Sequence, residues 1–262
     1  MNRINKKFQE LKDQKQKAFI AFITAGDPDL KTTEDLVVAF EGVGVDIIEL
    51  GIPFSDPLAD GPIIQASFHR ALNKGTTVKK ILETVKHIRL KTSIPIALMS
   101  SYNPILHFGE EKFIKACVQA GVDGLIIPDL PPEESKTLRQ AAEHHDIATI
   151  FFVAPTSEDA RIRANTKASS GFVYYVSVTG TTGARQAVAL SVVKQVKRIK
   201  RFTTKPVCVG FGISTPQQVK DIGGTADGVI VGSAIVKRIE EYKGQPDMVS
   251  KVSRYVRSLC AV

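Results

Sequence analysis

The residues of this chain best placed to do chemistry are two acids. Glu49 closes the aliphatic run Asp46-Ile47-Ile48-Glu49-Leu50, and Asp60 follows eleven residues later. Between and around them stand Pro53, Pro57 and Pro62, which restrict the backbone of the loop that carries Asp60. A carboxyl group at the end of a buried strand loses its hydration. Without a partner its pKa rises into the range that serves a general acid or base near neutral pH. Two such groups held in fixed relation could move protons on a bound substrate without any cofactor. Each has an ordinary alternative: Glu49 could tip out to a salt bridge at the rim, and Asp60 could cap the helix opening at Gly61-Pro62. Asp56, in the same loop, reads as a loop support.

Glycine supplies a further signal. It clusters at Thr179-Gly180-Thr181-Thr182-Gly183-Ala184-Arg185, at Gly210-Phe211-Gly212-Ile213-Ser214 and at Gly232-Ser233-Ala234. Backbone amides can approach an anion closely at glycine, and a short helix starting at Gly232-Ser233 would add the positive end of its dipole. Three such turns near one another suit a phosphate.

These residues need a frame. Short aliphatic runs recur along the chain, near 18–23, 46–50, 95–99, 124–127, 148–153, 172–176, 206–209 and 228–231. Their apolarity is continuous rather than alternating, as in parallel strands covered on both faces. Helical patterns lie between them: one ends at Gly42, one is opened by Pro131-Pro132-Glu133-Glu134 and runs to His145, and one starts at Thr215-Pro216 with a cap and a first-turn proline. Eight βα units with no break in composition predict a single-domain α/β fold over residues 1–262, a (β/α)8 TIM barrel, with an extra N-terminal helix over roughly 7–14 plugging its floor. An open doubly wound sheet is the alternative, but the Gly-x-Gly-x-x-Gly turn expected after its first strand is absent from the sequence.

In such a barrel the chemistry sits at the carboxyl ends of the strands. The residues there include neither lysine nor histidine, so the raw material for a Schiff base or a zinc site is missing, and carboxylates and tyrosines are left. The net charge of +8 is spread over helix-like segments and interleaved with acids, which suits an anionic substrate better than nucleic acid. Cys117, Cys208 and Cys260 are odd in number and widely spaced, as expected of reduced thiols. No apolar run is long enough to span a bilayer and no secretory pattern opens the chain, which predicts a cytoplasmic protein.

The run Glu49-Leu50-Gly51-Ile52-Pro53-Phe54-Ser55-Asp56-Pro57-Leu58-Ala59-Asp60-Gly61-Pro62 resembles the signature of the tryptophan synthase alpha chain family. The likeness continues through Phe22-Ile23-Thr24-Ala25-Gly26-Asp27-Pro28, Tyr102-Asn103-Pro104, Pro128-Asp129-Leu130-Pro131, Gly210-Phe211-Gly212-Ile213-Ser214 and Gly232-Ser233-Ala234-Ile235-Val236. The resemblance implies a lyase that cleaves indole-3-glycerol phosphate to indole and glyceraldehyde 3-phosphate. It implies no cofactor in this chain and a pyridoxal-phosphate beta chain as partner, in an alpha2-beta2 heterotetramer. It assigns Glu49 and Asp60 as catalytic, with Glu49 moving protons at the ring C3 and the glycerol side and Asp60 accepting the ring N–H. Phe22, Tyr102, Ile127 and Phe211 would flank the indole, and Tyr174 would stand near the substrate hydroxyl, with Tyr175 as its rival for that place. Gly183, Gly212, Gly232 and Ser233 would cradle the phosphate, and Thr182 would meet Asp60 when the Gly183 loop closes as a lid. Two departures stand out: Gly180-Thr181-Thr182-Gly183 replaces the usual Gly-Val-Thr-Gly, and Ser100-Ser101 replaces a bulkier pair. A partner-facing surface is expected from the loop at 53–62 and from the segment Asn103-Pro104-Ile105-Leu106-His107-Phe108.

Overall fold

The computed structural model describes residues 1–57, 60–177, 185–210 and 212–260, with the backbone alone over 185–189. Its elements run α1 (Arg3–Asp13), β1 (Ala18–Thr24), α2 (Leu30–Glu41), β2 (Ile47–Gly51), α3 (Pro62–Asn73), α4 (Val78–Arg89), β3 (Ile96–Met99), α5 (Tyr102–Phe108), α6 (Glu110–Ala120) and β4 (Gly124–Ile126). They continue with α7 (Lys136–His144), β5 (Ala148–Ile150), β6 (Phe152–Val153), α8 (Asp159–Ala168), β7 (Val173–Val176), α9 (Arg185–Ile199), β8 (Val207–Gly210), α10 (Pro216–Gly223), β9 (Gly228–Val231), α11 (Ser233–Tyr242) and α12 (Met248–Cys260).

Every strand pair is parallel, in the order β5-β4-β3-β2-β1-β9-β8-β7-β6. The two ends of that order, β5 and β6, are halves of one aliphatic run interrupted at Phe151, whose carbonyl accepts the Tyr174 amide at 3.1 Å. The chain itself therefore completes the ring, and the nine strands form an eight-unit barrel. The expected single strand over 148–153 is split because the run bends at this corner.

Alternation along each strand sorts the apolar residues into two layers. One lies between sheet and helices and holds Phe40, Leu50, Leu98, Phe113, Val209 and Val231. The other fills the interior with Ile20, Ile47, Ala97, Ile126, Ile150, Phe172, Cys208 and Ile230. Ile4, Phe8 and Leu11 of α1 pack into this interior layer, so α1 plugs the barrel's floor. The helix starts four residues earlier than expected because Asn2 anchors it. The Asn2 side chain accepts the Ile4 amide at 2.9 Å and donates to the carbonyls of Asp123 and Asp146 at 2.7 and 2.6 Å.

The floor is also where acids are fully engaged. Asp46, Asp123 and Asp227 precede β2, β4 and β9, and each accepts an opening amide of the neighbouring strand: Phe19, Ile96 and Val207, at 2.8, 2.8 and 2.9 Å. Asp123, 3% exposed, is paired in addition with Arg3 and Arg89 at 2.8 and 2.7 Å.

Helix boundaries follow their chemistry. Thr215 and Gln218 form a reciprocal capping box on α10, as the cap-and-proline pattern predicts. The helix expected from Pro131 starts instead at Lys136. Pro131 and Pro132 lack amide donors, and the chain first closes a separate turn in which the Ser135 amide reaches the Pro131 carbonyl at 3.1 Å. Cys117, Cys208 and Cys260 are free thiols, the first two buried.

Candidate active site

Glu49 is the third residue of β2 and shares the interior face with Ile47. In the strand register it stands opposite Phe22 of β1 and Ala97 of β3. It is 1% exposed, and neither carboxylate oxygen has a hydrogen-bond partner among the described residues. The rim salt bridge that sequence left open is therefore not formed. Burial pushes its pKa up to about 8, and the charge of Asp60 pushes in the same direction. At neutral pH Glu49 holds its proton.

Asp60 does not cap α3. The cap position belongs to Gly61, with no side-chain hydrogen bond, while the Gln65 side chain donates to the Asp60 carbonyl at 2.7 Å and fixes the backbone. The carboxylate is left to line a cavity of about 270 Å³ with Ile52, Phe68, Met99, Ser100 and Asp129. Burial raises its pKa to about 6, with the charge of Asp129 adding to the effect. The two acids are thus pushed apart: near pH 7 Glu49 is neutral and Asp60 is ionised, one proton donor and one acceptor at a single mouth. Asp56 accepts a hydrogen bond from its neighbour Ser55, consistent with a loop support.

The tyrosine alternatives separate by face. Tyr175 is buried in the outer layer, whereas Tyr174 belongs to the interior layer, its ring 4.7 Å from that of Phe152. Burial and the charge of Glu49 hold the Tyr174 phenol well above its ordinary pKa, so it remains an O–H donor. Gly210 makes its place: a Cβ there would stand 2.5 Å from the Tyr174 hydroxyl oxygen. Gly51 does the same for Phe22, whose ring lies 2.7 Å from where a Gly51 Cβ would be. Phe22 joins Ile64 and Phe68 of α3 and Val236 of α11 in a separate apolar cluster at the mouth.

Gly212 follows β8 with φ +70°, a left-handed conformation that favours glycine. Gly232 is the cap residue of α11 and Ser233 its first residue. Since β8 and β9 are neighbours, the two turns lie side by side. The carbonyl of Gly232 accepts the amides of Ile235 and Val236 at 2.8 and 3.0 Å, and the amides of the first turn before them have no intrahelical acceptor. α11 spans ten residues, longer than the short helix expected here. Its start also abuts the apolar cluster, since a Cβ on Gly232 would come within 3.3 Å of Phe22.

Two of the expected ring-flanking residues lie elsewhere. Ile127 packs in the outer layer, while its neighbour Ile126 faces inward. Tyr102 heads α5 with its hydroxyl bonded to Glu110 at 3.1 Å and its amide held by Asp129. Thr182, Gly183 and Phe211 lie outside the described residues. Sequence reasoning did not select Ile64, Phe68 or Met99. Ile64 and Phe68 are four apart on the helix that follows Asp60, and that spacing was the available signal. Among the described residues no group of His, Cys, Asp and Glu could hold a metal ion, and no helix is long and apolar enough to cross a membrane.

A family model described as the tryptophan synthase alpha chain matches residues 8–261. The tryptophan synthase alpha chain of Geotalea daltonii is 52% identical over 261 residues, covering 100% of this chain and 98% of that one. The corresponding protein of Thermoanaerobacter sp. (strain X514) is 50% identical over 259 residues, covering 99% and 98%. Among solved structures, tryptophan synthase subunit alpha from Legionella pneumophila superposes with a TM-score of 0.92 at 35% identity, covering 100% of this chain and 98% of that one. A chain from the structure of the mutually activating tryptophan synthase a2b2 complex of Pyrococcus furiosus gives a TM-score of 0.86 at 39% identity, covering 94% and 98%. With the barrel, the paired acids and these full-length likenesses in agreement, the chain belongs to the tryptophan synthase alpha chain family.

Proposed function

We propose that the chain cleaves indole-3-glycerol phosphate to indole and glyceraldehyde 3-phosphate by a retro-aldol reaction, using Glu49 and Asp60. The observation that carries this reading is the unpartnered, buried carboxyl of Glu49, protonated at neutral pH, at the same mouth as the ionised Asp60. Protonated Glu49 donates to C3 of the indole ring. The cation that results is relieved through the ring N–H, which donates to the Asp60 carboxylate. Glu49, now a carboxylate, takes the proton of the glycerol hydroxyl next to the ring as the carbon–carbon bond breaks. The bonding pair returns to the ring, an aldehyde forms, and Glu49 ends the cycle as it began. Tyr174 supports this exchange by donating its O–H near the substrate hydroxyl and Glu49.

Phe22, with Phe68 and Ile64, gives the ring apolar walls. Gly212, Gly232 and Ser233 receive the phosphate at the end of the site that adjoins Phe22, together with Gly183. Thr182 meets Asp60 when the Gly183 loop closes. Phe211 flanks the ring in this reading, and Ile127 and Tyr102 complete the substrate pocket when the segments that carry them adjust on ring binding.

The chain works with a beta chain in an alpha2-beta2 heterotetramer, the state named for its relative from P. furiosus. It passes indole to that partner, which holds pyridoxal phosphate, while this chain uses no cofactor of its own. The reaction belongs to cytoplasmic tryptophan biosynthesis. Assaying indole release from indole-3-glycerol phosphate by wild type and Glu49→Gln tests the reading. Undiminished release by the variant overturns it.

A further inference from the structure

Asp129 lies just beyond β4 and is exposed at the mouth. Its two carboxylate oxygens accept the amide of Tyr102, the first residue of α5, at 2.8 and 3.1 Å. It lines the same cavity as Asp60, on the wall that includes Ser100, Ser101 and Pro128. The floor acids Asp46, Asp123 and Asp227 also accept backbone amides, but they face away from the mouth; Asp129 alone among the amide-bound acids described above shares a cavity with a candidate catalytic group. Family resemblance gives it no role, and a capping role alone does not require it to face Asp60.

We propose that Asp129 is a positioning residue for the reaction: it seats the start of α5 and, facing Asp60 across the cavity, sets through its own charge how readily Asp60 accepts the ring N–H. The proposal rests on the assignment of Asp60 given above. Besides burial, the charge that acts on Asp60 is that of Asp129 after β4, while Asp60 in turn acts on Glu49 of β2 and Tyr174 of β7. Glu49 is neutral over the range in which Asp60 titrates, and Tyr174 is neutral throughout, so the standing charge that Asp60 meets is that of Asp129. Around Asp129 itself, Glu110 of α6 and Glu134 of the turn before α7 approach the Tyr102 hydroxyl, on the far side of the Tyr102 ring from its amide. The acidic limb of activity, set first by the burial of Asp60, is therefore adjusted by a carboxylate outside the reacting pair. Because Asp129 holds α5 by its first amide, the placement of that charge follows the placement of α5.

The test is the pH dependence of kcat/KM for indole release in wild type, Asp129→Asn and Asp129→Glu. Asparagine keeps an oxygen acceptor for the Tyr102 amide and removes the charge, so the acidic limb is expected to move to lower pH by about half a unit, as for a screened pair of like charges. Glutamate keeps the charge and should leave the limb within ~0.2 unit of wild type. An Asp129→Asn limb that coincides with wild type overturns the proposal, as does an equal shift in both variants, which would mark a purely structural role. Asp60→Asn in the same assay separates the two readings. If it retains wild-type activity, the assignment of Asp60 fails; if it is inactive while the Asp129→Asn limb is unmoved, only the role of Asp129 fails.

Discussion

Phe22 and Glu49 stand opposite each other in the register of β1 and β2, both on the interior face of the barrel. An aromatic wall and a proton donor are thus fixed to the same rung by backbone hydrogen bonds, independent of any loop. A ring that accepts its C3 proton from Glu49 would lie against Phe22, and changes to either residue should be felt by the other.

Replacing Glu49 with glutamine removes the mobile proton while preserving shape. Indole release should fall by roughly 10²-fold or more, the usual scale for loss of a general acid. Substrate affinity, read as KM or by equilibrium binding, should change far less. A loss confined to KM would contradict the assignment.

The two carboxyl groups give the pH profile its form. kcat/KM should rise as Asp60 ionises near pH 6 and fall as Glu49 loses its proton near pH 8, a bell measured by initial rates across that range. A profile flat from pH 5 to 9 would contradict the roles of both.

Glu49 should also cost stability, with a definite sign. Its folded pKa of about 8 lies above the ordinary 4.5, so the folded chain keeps a proton that the unfolded chain releases. Stability therefore falls as pH rises from about 4.5 to about 8, by at most roughly 1.4 kcal/mol per pH unit from this group. Glu49→Gln lacks this slope. Urea midpoints of the two proteins should diverge between pH 5 and pH 8 in favour of the variant, and parallel curves would contradict the burial argument.

Gly51→Ala places a methyl group where the Phe22 ring now lies, 2.7 Å away. The ring must move, at a stability cost of about 1–3 kcal/mol, the scale of overpacked cores. Indole release should show a raised KM. An unchanged KM in a folded variant would separate Phe22 from the ring pocket.

Leu106 of α5 is 57% exposed, one of few large apolar side chains in that state among the described residues. Leu106→Glu should weaken association with the beta chain, measured by co-purification or sedimentation, without changing the thermal stability of the isolated chain. Unaltered association would remove α5 from the interface.

The barrel was legible because both of its layers are written in the strands: continuous aliphatic runs at regular spacing leave few alternatives to a parallel ring. Glu49 was legible for the same reason, as the acid that interrupts such a run at its carboxyl end. Tyr174 and Tyr175 could not be separated without the register, because both faces of a barrel strand are buried and either tyrosine satisfies the pattern. Ile127 shows the same limit: one residue past β4, it falls on the outer layer, while Ile126 faces inward. Asp129 was visible as a strand-end residue but not as a neighbour of Asp60, since that proximity depends on how two loops fold over one cavity. Helix starts moved where side chains far away in sequence intervened, as Asn2 does at Asp123 and Asp146.

The plug formed by Ile4, Phe8 and Leu11 closes the floor of the barrel and leaves the mouth that holds Asp60 as the way in among the described residues. Whatever enters must depart by the same doorway, so substrate, aldehyde and indole compete for one threshold. A subunit seated over that doorway gains authority over the order of departures without touching any reacting atom.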